Sequence, residues 1–271
     1  MDRPAYRLLN SQIDELKEQL SAKIIERDNL NFIVSRNLNA KYMTTIGVYE
    51  YRVYERYCAI MRILRKIAII RGQLNRHEAV VIPLVERMLD KEFADSNSRL
   101  TEFRKELMAA EEISHADFLS DEDNRRCKAL YAEIVGRLHP DLNPATSDEE
   151  QELFDSAVDA YEEGSRVKLE EIAEHLSSMD DSAQPPETYE QLRLIKDKLT
   201  RKLDAVSDEI DSISDNYPCN QQELLLDEKK VAAKTDELKD ITRRYDIIYA
   251  NADKQLRELL GDSPDDPTTV S

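Results

Sequence analysis

The hydrophobic positions of this chain recur mostly with the spacing of α-helices. Near the N-terminus they form one stripe at intervals of three or four residues, and after a lapse at 35–39 a second stripe runs from Val53 to Leu74. A third, less regular stretch follows His77. Such spacing is typical of amphipathic helices that bury one face. The first stripe consists of Leu9, Ile13, Leu16, Leu20 and Ile24.

The most regular pattern lies in the last third of the chain. Apolar residues recur every seven positions from Leu192 to Ile213, and a second heptad series begins at Leu224 after a break at 217–220. Helices joined by a short loop usually pack antiparallel. The pattern therefore predicts a C-terminal antiparallel coiled-coil hairpin over residues 188–260.

Composition agrees with a helical protein. The 271 residues include only 5 Gly and 9 Pro, no Trp, and 6% aromatic side chains, which is too little turn chemistry and too few aromatics for a β-sandwich or β-barrel. We therefore predict an all-α fold, in which elongated helical and coiled-coil segments flank a small helical hairpin.

Charge and cysteine usage exclude several classes of protein. The net charge of −18 argues against nucleic acid as a partner. No uncharged stretch is long enough for a membrane span and no secretory apolar segment is present, so we expect a cytoplasmic protein without a membrane partner. Three scattered cysteines and four scattered histidines lack the spacing of metal ligands, so we predict no metal and no cofactor.

One segment departs from the overall acidity. Residues 51–76 are rich in Arg and Lys, are interleaved with tyrosines, and contain a single acidic residue, Glu55. Such a segment could hold RNA or an anionic membrane surface. We favour pairing with the acidic first helix, because this explains the charge of both segments. The acidic candidates are Asp14, Glu15, Glu18, Glu26 and Asp28.

The segment with candidate chemistry lies between the coiled-coil regions. Two short helices are predicted there, and the spacing of Ser147 and Glu150 fits a capping box at the start of the second. The connection contains His139-Pro140-Asp141, where Pro140 disfavours helical conformation at the preceding residue. We therefore predict that the first helix ends there and that His139 and Asp141 are displayed on a stiff, exposed loop. The predicted core of the pair is Tyr131, Ile134, Leu138, Phe154, Ala157 and Tyr161.

This arrangement resembles the J-domain of DnaJ-type co-chaperones. The resemblance covers about residues 121–176 and rests on the His-Pro-Asp motif and on the aromatic residues of the two flanking helices. It implies that the motif and the preceding helix dock on a DnaK-class ATP-driven chaperone and stimulate its ATP hydrolysis. Whether the first helix of a J-domain is missing, or is replaced by the preceding coiled coil, stays open. The implied partner-binding residues are His139, Pro140, Asp141, Arg125, Arg126, Lys128 and Arg137.

The predicted organisation has five parts. They are an N-terminal helical coiled-coil region (1–118), a J-domain-like unit (119–177), a linker (178–187), the C-terminal hairpin (188–260) and a disordered tail (261–271). A histidine and a carboxylate two residues apart could act as an acid and base. However, no nucleophile, phosphate loop or oxyanion feature accompanies them, so we do not predict an enzyme.

Two functions stay open at this stage. The leading prediction is a co-chaperone whose coiled coils could bind a client or scaffold protein, and the alternative is a coiled-coil scaffold or interaction protein in which the J-like hairpin is structural. Heptads allow pairing within one chain or between chains, so a homo-oligomer is also open.

Overall fold

The computed structural model describes residues 3–115, 121–144, 146–179 and 188–261, and over these residues it contains helices and no strands. The all-α prediction is therefore confirmed. Most of the predicted linker, all of the predicted tail after Gly261, and residues 116–120 around the predicted boundary near 118 lie outside the described residues. The α-helices are α1 (Arg3–Asp28), α2 (Ser35–Tyr42), α3 (Val48–Asn75), α4 (Ile82–Glu92), α5 (Ala94–His115), α6 (Asp121–Leu138), α7 (Asp148–Glu162), α8 (Arg166–Ser178), α9 (Tyr189–Asp215), α10 (Gln222–Leu226) and α11 (Glu228–Leu260).

The lapse in the apolar pattern at 35–39 is not a break in the backbone. These residues lie in α2, and π-helical segments precede and follow it at Asn29–Val34 and Met43–Gly47. A π-helical turn contains more residues than an α-helical turn, so it shifts the phase of a hydrophobic stripe without ending the helix. The sequence contains no Gly or Pro at 35–39 that would stop the helix there.

The chain forms two compact units. The first consists of residues 1–38 and 116–221, and the second consists of residues 39–115 and 222–271. The predicted division into consecutive domains is therefore wrong, because each unit combines an N-terminal segment with a C-terminal segment. The predicted boundary after residue 118 lies three residues from the division between the units at 115–116.

In the first unit α1 and α9 pack along each other in parallel. The amine of Lys196 donates to Gln12 Oε1 at 2.8 Å, and the Arg27 guanidinium lies 3.2 Å from Glu209 Oε2, so residue numbers rise together along both helices. Helices α6, α7 and α8 pack on one another, and α6 also contacts α1. One continuous hydrophobic core joins these helices, including Leu20 and Leu199.

In the second unit α3 and α11 also pack in parallel. Arg56 forms an ion pair with Asp246 at 2.9 Å, and Lys239 Nζ lies 5.2 Å from the ring centroid of Tyr49. Helices α4 and α5 pack against α3 and against each other. Two hydrophobic clusters hold this unit together, one centred on Ile67 and the other on Met43.

The predicted C-terminal hairpin is wrong. Helix α9 belongs to the first unit and pairs with α1, whereas α11 belongs to the second unit and pairs with α3. A heptad seam indicates that a helix has a helical partner, but it does not identify that partner, because several seams in one chain are compatible with one another. The second heptad series, which begins at Leu224, is also not one continuous helix, because the side chain of Asp227 accepts hydrogen bonds from the N–H groups of Lys229 and Lys230 and caps the start of α11.

The basic stretch of α3 finds acidic partners within the second unit. Arg62 contacts Glu86 at 2.6 Å and Asp90 at 2.8 Å, and Lys66 contacts Glu86 at 2.6 Å. The hydrogen bond from Lys66 lowers the pKa of Glu86. These partners lie on α4, which differs from the expected pairing with the acidic residues of α1.

Candidate functional site

The loop between α6 and α7 is held by backbone and side-chain hydrogen bonds. The N–H of His139 makes a helical bond to Val135 O at 3.1 Å, and Pro140 follows without an N–H of its own. The Asn143 side-chain amide then donates to Gly136 O at 2.9 Å and Arg137 O at 2.8 Å. These carbonyls at the end of α6 have no partner within the helix, so Asn143 caps it from outside.

Helix α7 begins with the predicted capping box. The N–H of Glu150 donates to the Ser147 hydroxyl at 3.3 Å, and the N–H of Ser147 donates to Glu150 Oε2 at 2.7 Å. Both bonds satisfy backbone donors that the first helical turn leaves free. The loop is therefore fastened at both ends, by Asn143 to α6 and by Ser147 to α7.

All six predicted core residues of the helical pair are buried in the core of the first unit. Tyr131 of α6 and Tyr161 of α7 stack with a centroid distance of 4.2 Å and an interplanar angle of 3°. Aromatic pairs of this kind contribute about 0.5–1.5 kcal/mol beyond their buried area. This stack fixes the register of α6 against α7 and thereby the position of the loop between them.

A buried carboxylate of α1 joins this stack, and its burial was not predicted from the sequence. The Tyr131 hydroxyl donates to Asp28 Oδ2 at 2.8 Å, while Arg27 holds Asp28 Oδ1, also at 2.8 Å. Asp28 is only 5% exposed. A signal was present in the sequence, because Asp28 continues the four-residue spacing of Leu20 and Ile24 on the apolar face.

The two tyrosine hydroxyls differ in their partners. Tyr161 donates to Asn29 Oδ1 at 3.3 Å, a longer bond to a neutral acceptor. Burial, together with the charge of Asp28, raises the pKa of Tyr161 to about 12 and raises the pKa of Tyr131 still further. Both phenols are therefore protonated at neutral pH and can donate these hydrogen bonds.

The predicted exposure of His139 is wrong. The side chain is 7% exposed, and its ring packs edge-on against Phe154 with a centroid distance of 5.2 Å. Its Nδ1 accepts a hydrogen bond from the N–H of Asp141 at 3.1 Å, which places the proton of the neutral ring on Nε2. Burial lowers the pKa of His139, so the ring stays neutral at pH 7. His139 therefore stabilises the loop from its buried side. The prediction considered only the turn at Pro140 and did not include the apolar surface that Phe154 provides for the His139 ring.

The other two residues of the motif are more accessible. Pro140 is exposed, and the Asp141 side chain is 26% exposed. The Asp141 carboxylate is not free, because Lys202 of α9 lies 3.1 Å from its Oδ1. Thus the loop presents a proline and a partly covered carboxylate.

The four predicted basic residues of α6 do not form a single face. At about 100° per residue, Arg126 and Arg137 lie about 20° apart around the helix axis, and Arg125 and Lys128 lie about 60° apart on another side. Arg126 is exposed and 3.8 Å from Glu170 of α8. Arg125 and Lys128 line a cavity of about 260 Å³. The four basic residues therefore form two separate pairs on different sides of α6.

Within residues 3–115, 121–144, 146–179 and 188–261, no three His, Cys, Asp or Glu side chains are grouped so as to hold a metal ion. In the same part of the chain, no helix has the length and apolar character needed to cross a membrane. Comparison of the chain with protein-family models, with curated proteins and with solved structures gave no match.

Proposed function

We propose that this protein is a J-domain-type co-chaperone that recruits a DnaK-class chaperone and stimulates its ATP hydrolysis. The observation that carries the proposal is the α6–α7 pair, which is joined through His139-Pro140-Asp141 and held in register by the stacked Tyr131 and Tyr161. A rigid hairpin with this loop at its end is a suitable docking element, because partner contacts do not have to order the backbone first.

The three residues of the motif have different roles in this proposal. Pro140 and the accessible part of Asp141 contact the partner, and the Asp141 carboxylate accepts a bidentate hydrogen bond from a partner arginine. His139 acts from inside the loop by accepting the N–H of Asp141 and by packing on Phe154. Its role is to position Asp141 and not to touch the partner.

The basic residues supply a second part of the docking surface. Arg126 and Arg137 lie on one side of α6, which ends at the loop, so this side would meet an acidic surface on the chaperone. Arg125 and Lys128 lie on another side of the helix and beside the cavity. We therefore assign the larger share of the electrostatic attraction to Arg126 and Arg137.

A second function, a coiled-coil scaffold, is favoured by one specific observation. His139 is buried and Asp141 is paired with Lys202, so two of the three motif residues already have partners within the first unit. In a scaffold the loop would serve only to hold α6, α7 and α9 together. The two functions differ in whether any chaperone responds to the protein.

Single-turnover ATP hydrolysis by the DnaK of the same organism tests the proposal. Wild-type protein should accelerate hydrolysis in a concentration-dependent manner, and Asp141→Asn should reduce the acceleration at least tenfold, because the neutral amide loses the charged pairing with an arginine. Asp204→Asn is a matched control, since Asp204 is an exposed aspartate of α9. No acceleration by the wild-type protein at any concentration would favour the scaffold.

A further inference from the structure

The Asp141 carboxylate already has a cationic partner from a distant part of the chain. Lys202 Nζ of α9 lies 3.1 Å from Asp141 Oδ1, and the two side chains are 44% and 26% exposed. The proposed docking step requires this same carboxylate to accept an arginine. Lys202 and a partner arginine therefore compete for one acceptor.

The loop borders the core that α1 and α9 help to form. Leu142, the first residue after the motif, is 3% exposed and belongs to the same core cluster as Leu199 of α9. The charges of Arg27 and Asp28 on α1 and of Lys202 on α9 also act on the buried His139 ring, together with the charge of the neighbouring Asp141. The ion pair between Lys202 and Asp141 thus lies beside this core and adds a polar contact between α9 and the loop.

We propose that Lys202 is a clamp that holds the His139–Asp141 loop against α9 in a resting state, and that binding of the chaperone replaces Lys202 with a partner arginine. This inference rests on the proposed function, because it concerns the regulation of the same site. Release of Lys202 frees the carboxylate and loosens the loop from α9. Any partner or condition that draws α9 away from the loop would then increase recruitment.

The expected size of the effect is modest. Ion pairs with this degree of exposure stabilise by little, so removal of Lys202 should change the apparent affinity for the chaperone by roughly two- to fivefold. A clamp of this strength slows recruitment without preventing it. Charge reversal by Lys202→Glu should have a larger effect than Lys202→Met, because it adds repulsion to Asp141.

Amide hydrogen exchange of the loop in the full-length protein tests the clamp without any chaperone. Lys202→Met should increase exchange at 139–143 by about two- to fivefold. Lys202→Arg, which retains the pair, and Lys198→Met, at an exposed lysine one turn earlier in α9, should leave exchange unchanged. In an Asp141→Asn background, Lys202→Met should have no further effect, since the partner charge is already absent. Unchanged exchange in Lys202→Met would overturn the clamp.

The same variants in the ATPase assay separate the two proposals. If wild-type protein stimulates hydrolysis and Lys202→Met reaches half-maximal stimulation at a concentration two- to fivefold lower, both proposals are supported. If wild-type protein stimulates and Lys202→Met does so equally despite faster loop exchange, the regulatory role fails and the co-chaperone proposal stands. If exchange responds but neither protein stimulates, the co-chaperone proposal fails together with the regulatory role, and Lys202 is only a structural contact.

Discussion

The hydrogen bond between Tyr131 and Asp28 provides the sharpest test of how α1 is joined to the α6–α7 pair. Tyr131→Phe removes the hydroxyl that donates to Asp28 Oδ2 at 2.8 Å and retains the ring that stacks on Tyr161. A buried hydrogen bond to a charged group contributes about 1.5–3 kcal/mol. Because Arg27 still holds the other carboxylate oxygen, we expect the substitution to decrease the free energy of unfolding by an amount within this range and not by more.

Tyr161→Phe is the matched control for this substitution. It removes a hydroxyl from the other ring of the same stack, but that hydroxyl donates to a neutral amide at 3.3 Å. The expected loss is about 0.5–1.5 kcal/mol. A double-mutant cycle with Asp28→Asn should show coupling with Tyr131→Phe and little coupling with Tyr161→Phe.

Amide exchange of α6 peptides at increasing urea concentrations measures these losses in the first unit alone. This readout is needed because far-ultraviolet circular dichroism would combine the two units. A loss from Tyr131→Phe no larger than that from Tyr161→Phe would refute the assignment of the buried carboxylate as the principal polar link between α1 and α6.

Three further predictions concern the loop, the cap and the helix pairing. Burial lowers the pKa of His139, so below about pH 6.5 the unfolded chain binds a proton that the folded chain does not. The contribution of His139 to the free energy of unfolding should therefore be fully present above this pH and should fall below it by at most about 1.4 kcal/mol per pH unit. Urea midpoints at pH 7.5 and 5.5 should show that the His139→Gln variant lacks this pH-dependent loss. Ser147→Ala should destabilise the start of α7 by about 0.5–2 kcal/mol in amide exchange, whereas Ser165→Ala at α8, which loses no capping bond, should change little. Cysteines replacing Gln12 and Lys196 should cross-link with a short thiol reagent, and failure to do so would contradict the parallel pairing of α1 with α9.

Local features of the candidate site were predictable from the sequence because they depend on near neighbours. The end of α6 follows from Pro140, and the capping box follows from the spacing of Ser147 and Glu150. The buried positions of Tyr131 and Tyr161 follow from helical periodicity. Exposure of His139 was predicted wrongly, because a loop residue becomes buried when another element supplies a surface, here Phe154.

By itself the sequence determined that this protein is helical and that the apolar faces of its helices need partners. Those properties arise from spacing within a few turns of one chain segment. Only the tertiary structure decided which faces meet: α9 lies along α1, α11 lies along α3, and Lys202 reaches Asp141. The physical reason is that one heptad seam can pack against several others, and one charged side chain can pair with any opposite charge. The choice among these compatible partners therefore depends on the packing of each unit as a whole.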